Sequence, residues 1–439
     1  MKKTLCLLFA FLFVLTVSVS AFAEREKLTF GYLDRQGNVV IEPQFDYAYP
    51  FKDGLARYFV GELQEMGAQV PWHGSYGYIN MSGEIVIPAV YDKAEDFRNG
   101  RAVVVRDGKY GVIDREGNAI VDFIYDSISR TSVKDADDPN FVAYCGEISS
   151  KSLGKSVTYT GPGSGERFLL SQDGDLLFSM ECDSLISYKD WVSVRRKVGG
   201  NSLYAVYLPD GRQVTDFIWR TVLPAGEGLI RFENQAGLFG YMDLSGSILI
   251  PARFDCSGRF ENGFAVAHEN GRYCLINTAG ETVREYDPEI DYLDALPTDV
   301  ISRVTPFSHF RNGFTVAFFG ETKQNQPRCK KGTFRFMDID GNYTSKEFKV
   351  QNMYSVDPDG TLRVKQNDKW LVLDSQGKTV FKPVSCGDLN ICGNQYIVYI
   401  GGSKKGHGEY LYSASGKPVV KTAFSELLAT DGELIPFSY

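Results

Sequence analysis

Histidine and tryptophan are scarce in this chain, with four of each among 439 residues. The histidines, His73, His268, His309 and His407, stand at unrelated spacings, and no cysteines show the paired spacing of a zinc site. A metal centre assembled from them is therefore not expected. Basic charge is also in deficit: 47 Lys and Arg face 55 Asp and Glu, for a net charge of −8. Such a chain lacks the basic footprint that nucleic-acid phosphates demand, and it is equally poorly suited to anionic membrane surfaces. Strong helical periodicity is missing throughout, and beyond residue 19 no apolar run is long enough to cross a bilayer. A nucleophile elbow, a phosphate loop and a metallopeptidase helix are absent too. Beyond Cys6 the cysteines number seven (Cys145, Cys182, Cys256, Cys274, Cys329, Cys386 and Cys392), odd and irregularly spaced, which excludes a disulfide framework. Only Cys386 and Cys392, flanking a loop, are placed to pair in an oxidising compartment.

What is present begins with a leader. Lys2 and Lys3 precede an apolar run from Leu5 to Val19, and Ala21-Phe22-Ala23 stands before Glu24. That layout is a secretory signal peptide cleaved after Ala23. Removing it takes two lysines and no acids, so the mature chain, residues 24–439, carries −10 and is expected to be exported and soluble. Aromatic residues reach 13 %, ample for a large core.

The rest of the chain repeats. Ten glycines, Gly37, Gly83, Gly117, Gly174, Gly211, Gly246, Gly280, Gly341, Gly377 and Gly416, each end a similar phrase, with steps as short as 34 residues between them. Three positions earlier stand Asp34, Asn80, Asp114, Ser171, Leu208, Asp243, Asn277, Asp338, Asp374 and Ser413. All but Leu208 are residues whose short side chains close a type I turn at its first position, and glycine suits the fourth. Asp338-Ile339-Asp340-Gly341-Asn342, superficially a calcium loop, lacks the remaining ligands and is read as one of these turns. Aromatics precede the glycines by seven positions in eight units, followed in four by a strand glycine (Gly31, Gly77, Gly111, Gly240) that marks a bulge or the close approach of another backbone. A β-branched run follows each turn, as in Ile85-Val86-Ile87. An aromatic-Asp pair then leads to a second glycine turn such as Asn99-Gly100. Each unit reads as a meander of three or four short antiparallel strands, unable to bury both faces alone.

These phrases resemble the bacterial WG-repeat proteins: an aromatic-Gly pair, a "YID" strand, a D-x-x-G turn, an apolar strand, "YD", and "F-x-x-G-x-A". "YGVIDREGNAIVDFIYD" (110–126) and "FENGFAVAH" (260–268) carry the likeness most closely, with Tyr or Phe where the family name expects Trp. It extends over most of residues 28–439 and weakens at Phe168, Phe336 and Leu411. The resemblance implies an all-β repeat fold, often in an envelope or exported protein, and no agreed catalytic activity.

Two architectures suit about ten such units: a closed, β-propeller-like ring, single or split into two smaller rings, or an open β-solenoid. The first unit opens directly on "FGYLD" without the strand that precedes it elsewhere, whereas "FSELLATDGELIPFSY" at the C-terminus resembles "FDYAYPFKDGLARYFV" (45–60) and then stops. A tail that completes the first unit would remove both exposed sheet edges, so closure is favoured.

Length variation points to function. The link between the "A-V" strand and the aromatic-Gly strand is tight at 106–109 and 269–272 but expanded at 61–75, 146–166, 321–333 and 401–409. Insertions at one structural position project from one face. In the first of them, Trp72 and His73 are expected on an exposed loop, where Trp can stack on a sugar or anchor a partner. The segment 146–166 is Ser/Gly/Lys-rich and reads as mobile. The expectation is an exported, non-enzymatic binding scaffold, without cofactor, recognising a protein or cell-surface glycan through one loop face. The alternative is a secreted hydrolase or lyase acting on polysaccharide, with carboxylates converging at a ring centre.

Overall fold

A computed structural model describes residues 29–65, 69–130, 140–146, 150–153, 156–159, 165–286, 292–293, 312–320, 332–350, 352–353, 356–357, 359–367, 369–381, 388–393, 395–400, 408–420, 423–428, 430 and 432–438. Among these residues there is no helix, and every strand pairing is antiparallel. They form ten sheets of three or four strands and one two-stranded hairpin.

The third sheet shows how a unit is built. Its strands, Lys93–Ala94, Ala102–Arg106, Lys109–Ile113 and Ala119–Tyr125, lie side by side in chain order. Asn99 and Gly100 take φ of +53° and +73°, and Arg98 and Arg101 exchange backbone hydrogen bonds across them. Positive φ at both central residues is the two-residue turn whose twist matches that of paired strands, and Asn-Gly is its best sequence. The link from the third strand to the fourth is the expected Asp-x-x-Gly turn. Gly117 N donates to Asp114 O at 3.1 Å, and Asn118 N to Asp114 Oδ1 at 2.8 Å. The same pair of bonds recurs at Asp243 and Asp338, so Asp338–Asn342 is a turn.

A bulge distinguishes the outer strand. In the second sheet (Tyr47–Ala48, Leu55–Glu65, Gln69–Asn80, Ile85–Tyr91), Tyr76 pairs with Tyr91 and Tyr78 with Ile87, so four residues of one strand face two of the other. A Cβ on Gly77 would lie 2.5 Å from Ile87 O and 2.7 Å from Ala89 N. The expected close approach of another backbone is what excludes a side chain there. Of each β-branched triplet only the third residue is buried: Ile85 and Val86 face solvent and Ile87 does not, a pattern shared by Val39–Phe45 and Ile248–Phe254.

Successive sheets meet through the Asp-x-x-Gly turns. A Cβ on Gly83 would touch Ile41 of the preceding sheet, one on Gly117 Ile87, and one on Gly280 Ile250. The first sheet obeys the same rule across the chain ends. Gly37 faces Val420 and Val419, with Val420 Cγ1 2.8 Å from its would-be Cβ. In that sheet Phe30–Leu33 pairs with Val39–Phe45 on one side and with Ile435–Ser438 on the other, and Glu426–Leu427 completes the order. Arg35 ties the seam further, with Nη1 2.5 Å from Cys392 O and Nη2 2.9 Å from Thr430 O. The C-terminal tail supplies the strands that the first unit lacks, as expected from sequence.

Three expectations need correction or fall outside view. Over its described residues the link 61–75 is paired rather than looped: Leu55–Glu65 and Gln69–Asn80 continue their ladder from Gly61 opposite Gly74 to Glu65 opposite Gln69. Within 146–166, Ser150–Leu153 pairs with Ser156–Tyr159 as a hairpin, so its Ser/Gly/Lys composition does not prevent pairing. Cys392 is a free, buried thiol with Arg35 Nη1 at 3.2 Å from its sulfur, while Cys386 lies outside the described residues. Most of the expanded links 321–333 and 401–409 also lies outside them, as does His407.

Candidate functional site

The alternating turns give every sheet two ends. The turns joining strands one to two and three to four lie at one end, and the link joining strands two to three lies at the other. The expanded links 61–75 and 146–166 both join strands two to three, so they leave from the same end of their sheets. Trp72 and His73 therefore stand in the strand Gln69–Asn80, with His73 exposed and paired to Glu62. The extension starts where Gly61 faces Gly74 over the ring of Phe59; a Cβ on either glycine would strike backbone and that ring, so the two strands cross there without side chains.

The carboxylates of the aromatic-Asp pairs serve this link. Asp46 Oδ2 accepts from Gly61 N at 2.8 Å, Asp92 Oδ2 from Gly108 N at 3.2 Å, and Asp126 Oδ2 from Gly146 N at 2.9 Å. Asp255 instead meets His268 Nδ1 at 3.1 Å. Hydrogen bonds from Lys109 and Gly146 hold the Asp126 carboxyl below its usual value. These acids brace the chain; they are poor candidates for proton transfer.

A different group of side chains gathers at the opposite, tight-turn end. A cavity of about 440 Å³ is lined by Lys52, Arg57, Glu95, Asp96, Phe97, Arg98 and Arg130, from the second, third and fourth sheets. The fourth comprises Ser127–Arg130, Phe141–Tyr144, Gly165–Leu170 and Leu176–Cys182. Arg57 is fixed three ways: Nε to Asp96 Oδ1 at 2.6 Å, Nη1 to Ala94 O at 2.7 Å, and the guanidinium over the Tyr49 ring at 3.8 Å. Tyr78 Oη donates to Glu95 O at 2.7 Å and its ring meets that of buried Phe97, which sets the course of 95–98. Arg130 ends its strand by donating to the carbonyls of Arg98, at 3.1 Å, and Arg101. Its Nε is buried with no acceptor among the described residues. Although Glu95 has an exposed flank, burial pushes its carboxyl up, against the pull of Arg130 and Arg57 and with Asp96 adding to the rise. A second cavity, about 570 Å³, adjoins the same strand, with Ser127, Ser129, Arg167, Asp183 and Arg195 in its wall.

In the sequence Trp72 and His73 stand out, whereas the cationic group does not. Lys52, Arg57, Arg98 and Arg130 form no motif, being spread over three units. One signal was available: Lys52 and Arg98 occupy the same repeat position, directly before Asp53-Gly54 and Asn99-Gly100, where a later unit carries Glu261. Other chemistry is not supported at the cysteines. Burial pushes the Cys182 thiol up to about 11 and the Cys256 thiol up to about 12, so neither is a thiolate at neutral pH. Among the described residues no three His, Cys, Asp or Glu side chains are grouped to hold a metal ion, and no helix is long and apolar enough to cross a membrane.

Four stretches, residues 30–63, 76–110, 110–132 and 239–273, match the WG containing repeat. No curated protein matches the chain. Among solved structures, a eukaryotic initiation factor is similar at 10 % identity over 94 % of this chain and 98 % of that one, with a TM-score of 0.41. The C-terminal WD40 domain of Sif2 is similar at 10 % identity over 83 % and 91 %, with a TM-score of 0.35. BamB from Moraxella catarrhalis follows at 12 % identity over 94 % and 98 %, with a TM-score of 0.27. At identities and scores this low, none bears on what this chain binds or does.

Proposed function

We propose that this chain, which carries WG containing repeats in four stretches, is an exported, non-enzymatic binding scaffold: a single propeller-like ring of ten sheets that holds a protein or cell-surface polymer on the face of its expanded links. The seam carries the proposal. The first and last strands share a sheet, and Gly37 meets Val420 in the manner of every other turn and its predecessor. An open stack would leave Phe30–Leu33 as a bare edge and would carry polar caps. Here the apolar Ile435 and Phe437 cover it.

Binding is assigned to the strand two-to-three end because two insertions form hairpins there while the Asp-x-x-Gly turns at the other end keep their length. Trp72 and His73 lie on the larger hairpin and are the residues assigned to partner contact. Export rests on Lys2, Lys3, the run from Leu5 to Val19 and the small residues at Ala21 and Ala23. The hydrolase alternative would use Glu95, whose raised carboxyl is suited to an acid. Its neighbour Asp96, however, is held by Arg57 at 2.6 Å, which disfavours a freely acting carboxylate pair.

The test is glycan-array screening and envelope pull-down with residues 24–439, beside a chain in which 62–73 is replaced by Asp-Gly. Capture of one partner by the first and not by the second is expected. Turnover of a polysaccharide, with no stable partner retained, would overturn the proposal.

A further inference from the structure

The cavity of about 570 Å³ lies where the fourth sheet meets the fifth, which comprises Ser184–Tyr188, Trp191–Val198 and Asn201–Tyr207. Ser127 and Ser184 each open strand one of their sheet, and Tyr144 and Arg195 stand opposite them on strand two. The wall therefore gathers where strand one begins, which is the end from which the expanded links leave. Arg167 forms one side of it. This side chain is 4 % exposed, its Nη2 donates to Asp183 O at 2.6 Å, and its guanidinium lies 4.9 Å from the centre of the Tyr144 ring. Arg167 thus has a structural role, tying strand three of the fourth sheet to the start of the fifth.

Arg195 has no such role. Opposite the first residue of strand one the third sheet carries Val105 and the fourth Tyr144, so the repeat does not require a cation at this position. The Arg195 side chain makes no hydrogen bond or ion pair among the described residues, and its Nε is buried without an acceptor. A buried donor left unmet costs stability, and an acceptor entering from solvent would remove that cost. The hydroxyls of Ser127, Ser129 and Ser184, in the same wall, make no hydrogen bond among the described residues either. Four donor side chains from two sheets line one space, and the fold uses none of them.

The charges in the wall narrow the ligand. Arg167 and Arg195 face one carboxylate, Asp183, so the lining side chains suit a single negative charge, and a more highly charged anion would meet Asp183. A guanidinium fork matches the paired oxygens of a carboxylate or a phosphate. The donors of Arg195 and three hydroxyls outnumber the roughly four lone-pair sites of a carboxylate, which favours phosphate oxygens. A phosphodiester meets both conditions, since it carries one charge on four oxygens. The volume lies within the roughly 300–1,000 Å³ of small-ligand sites, and Ile186, 36 % exposed, offers apolar contact to the carbons on either side of the phosphorus. We propose that this cavity binds a phosphodiester of a cell-surface polymer, its free oxygens held by Arg195 and the three serines. The acidic chain disfavours a nucleic acid as the source. As part of the expanded-link end, the site rests on the reading of that end as the recognition face and names the chemistry recognised there.

Calorimetric titration of the purified protein with glycerophosphoglycerol, glucuronate, glycerol and an oligothymidylate tests the assignment. The first should bind at least about tenfold more tightly than any of the others. Arg195→Val, which installs the residue the third sheet carries at this position, should weaken that binding about tenfold without lowering the thermal midpoint of the free protein. Ser184→Ala should weaken it about threefold. Diffraction from crystals soaked in glycerophosphoglycerol needs no substitution and should place the phosphorus beside Arg195. No binding of any probe, glucuronate or oligothymidylate bound as tightly, binding unchanged in Arg195→Val, a lowered midpoint in that variant, or density elsewhere would each overturn the proposal. The chain with 62–73 replaced by Asp-Gly should bind glycerophosphoglycerol as the parent does. Phosphodiester binding without capture of any envelope partner would sink the wider reading of that face and leave this site standing, whereas partner capture without phosphodiester binding would do the reverse.

Discussion

The two ends of the sheets follow different rules. At one end the turn between strands three and four keeps a fixed length, Asp-x-x-Gly or a variant with Asn, Ser or, once, Leu208 at its first position. At the other, the link between strands two and three ranges from Asp107-Gly108 to hairpins that project from the sheet. The tight end is also where each turn glycine seats on the preceding sheet, Gly280 on Ile250 and Gly37 on Val420. Length is constrained where a turn glycine is part of the packing between units. A link that takes no part in that packing can vary, and recognition can change there without cost to the core.

Breaking the seam should have the largest effect. Phe437 is fully buried against Leu33 and Phe424, and Phe437→Ala should destabilise the protein by about 3–5 kcal/mol. Ending the chain at residue 431 should abolish cooperative folding; denaturant unfolding and sedimentation of the soluble fraction would read both. An unchanged midpoint in the truncated chain would mean that the first and last units do not support one another.

Next comes a tight-end glycine. Gly280 has φ of +81°, and a Cβ there would come within 2.8 Å of Ile250 Cγ2. Gly280→Ala should cost about 1–2 kcal/mol from backbone conformation alone, with the contact adding to it. By contrast, exchanging 62–73 for Asp-Gly should shift stability by less than about 0.5 kcal/mol while removing partner capture. If the exchange proved the more damaging of the two, the division between the ends would be wrong.

The smallest effect is expected at a turn carboxylate. Asp243 accepts from Ser245 Oγ at 2.6 Å and from the Ser245 and Ser247 amides at 2.8 and 3.0 Å. The Ser245 hydroxyl leads in holding its carboxyl below the usual 3.8, with slight burial opposing and the amides assisting. A carboxylate lowered in the fold contributes its stability above the unfolded value and loses it as pH falls through the folded value. Asp243→Asn preserves the turn, as Asn80 and Asn277 do at the equivalent positions. It should leave the midpoint at neutral pH nearly unchanged and flatten the loss of stability below pH 4, which thermal melts across pH would reveal.

Much of this was legible because it is local and repeated. The Asp-x-x-Gly turns, the Asn-Gly pairs, the strand glycines and the matching of tail to head all follow from backbone requirements that particular residues meet, and ten copies reinforce one another. The extended hairpin was not legible, since whether 61–75 pairs or loops depends on how far a ladder persists beyond two facing glycines. The exposure of Ile85 and Val86 was equally hidden: a β-branched run reads the same whether the strand is central or outermost.

The amino-acid order alone thus determined the unit, its turns, the number of copies and the complementarity of the two chain ends, because each rests on contacts between near neighbours or on a likeness between segments. Only the tertiary structure decided that Lys52, Arg57, Arg98 and Arg130 share a cavity, and that one guanidinium nitrogen there is left without an acceptor. Those residues are brought together by the stacking of three sheets, and the distance between side chains on neighbouring sheets is set by packing that no spacing along the chain records.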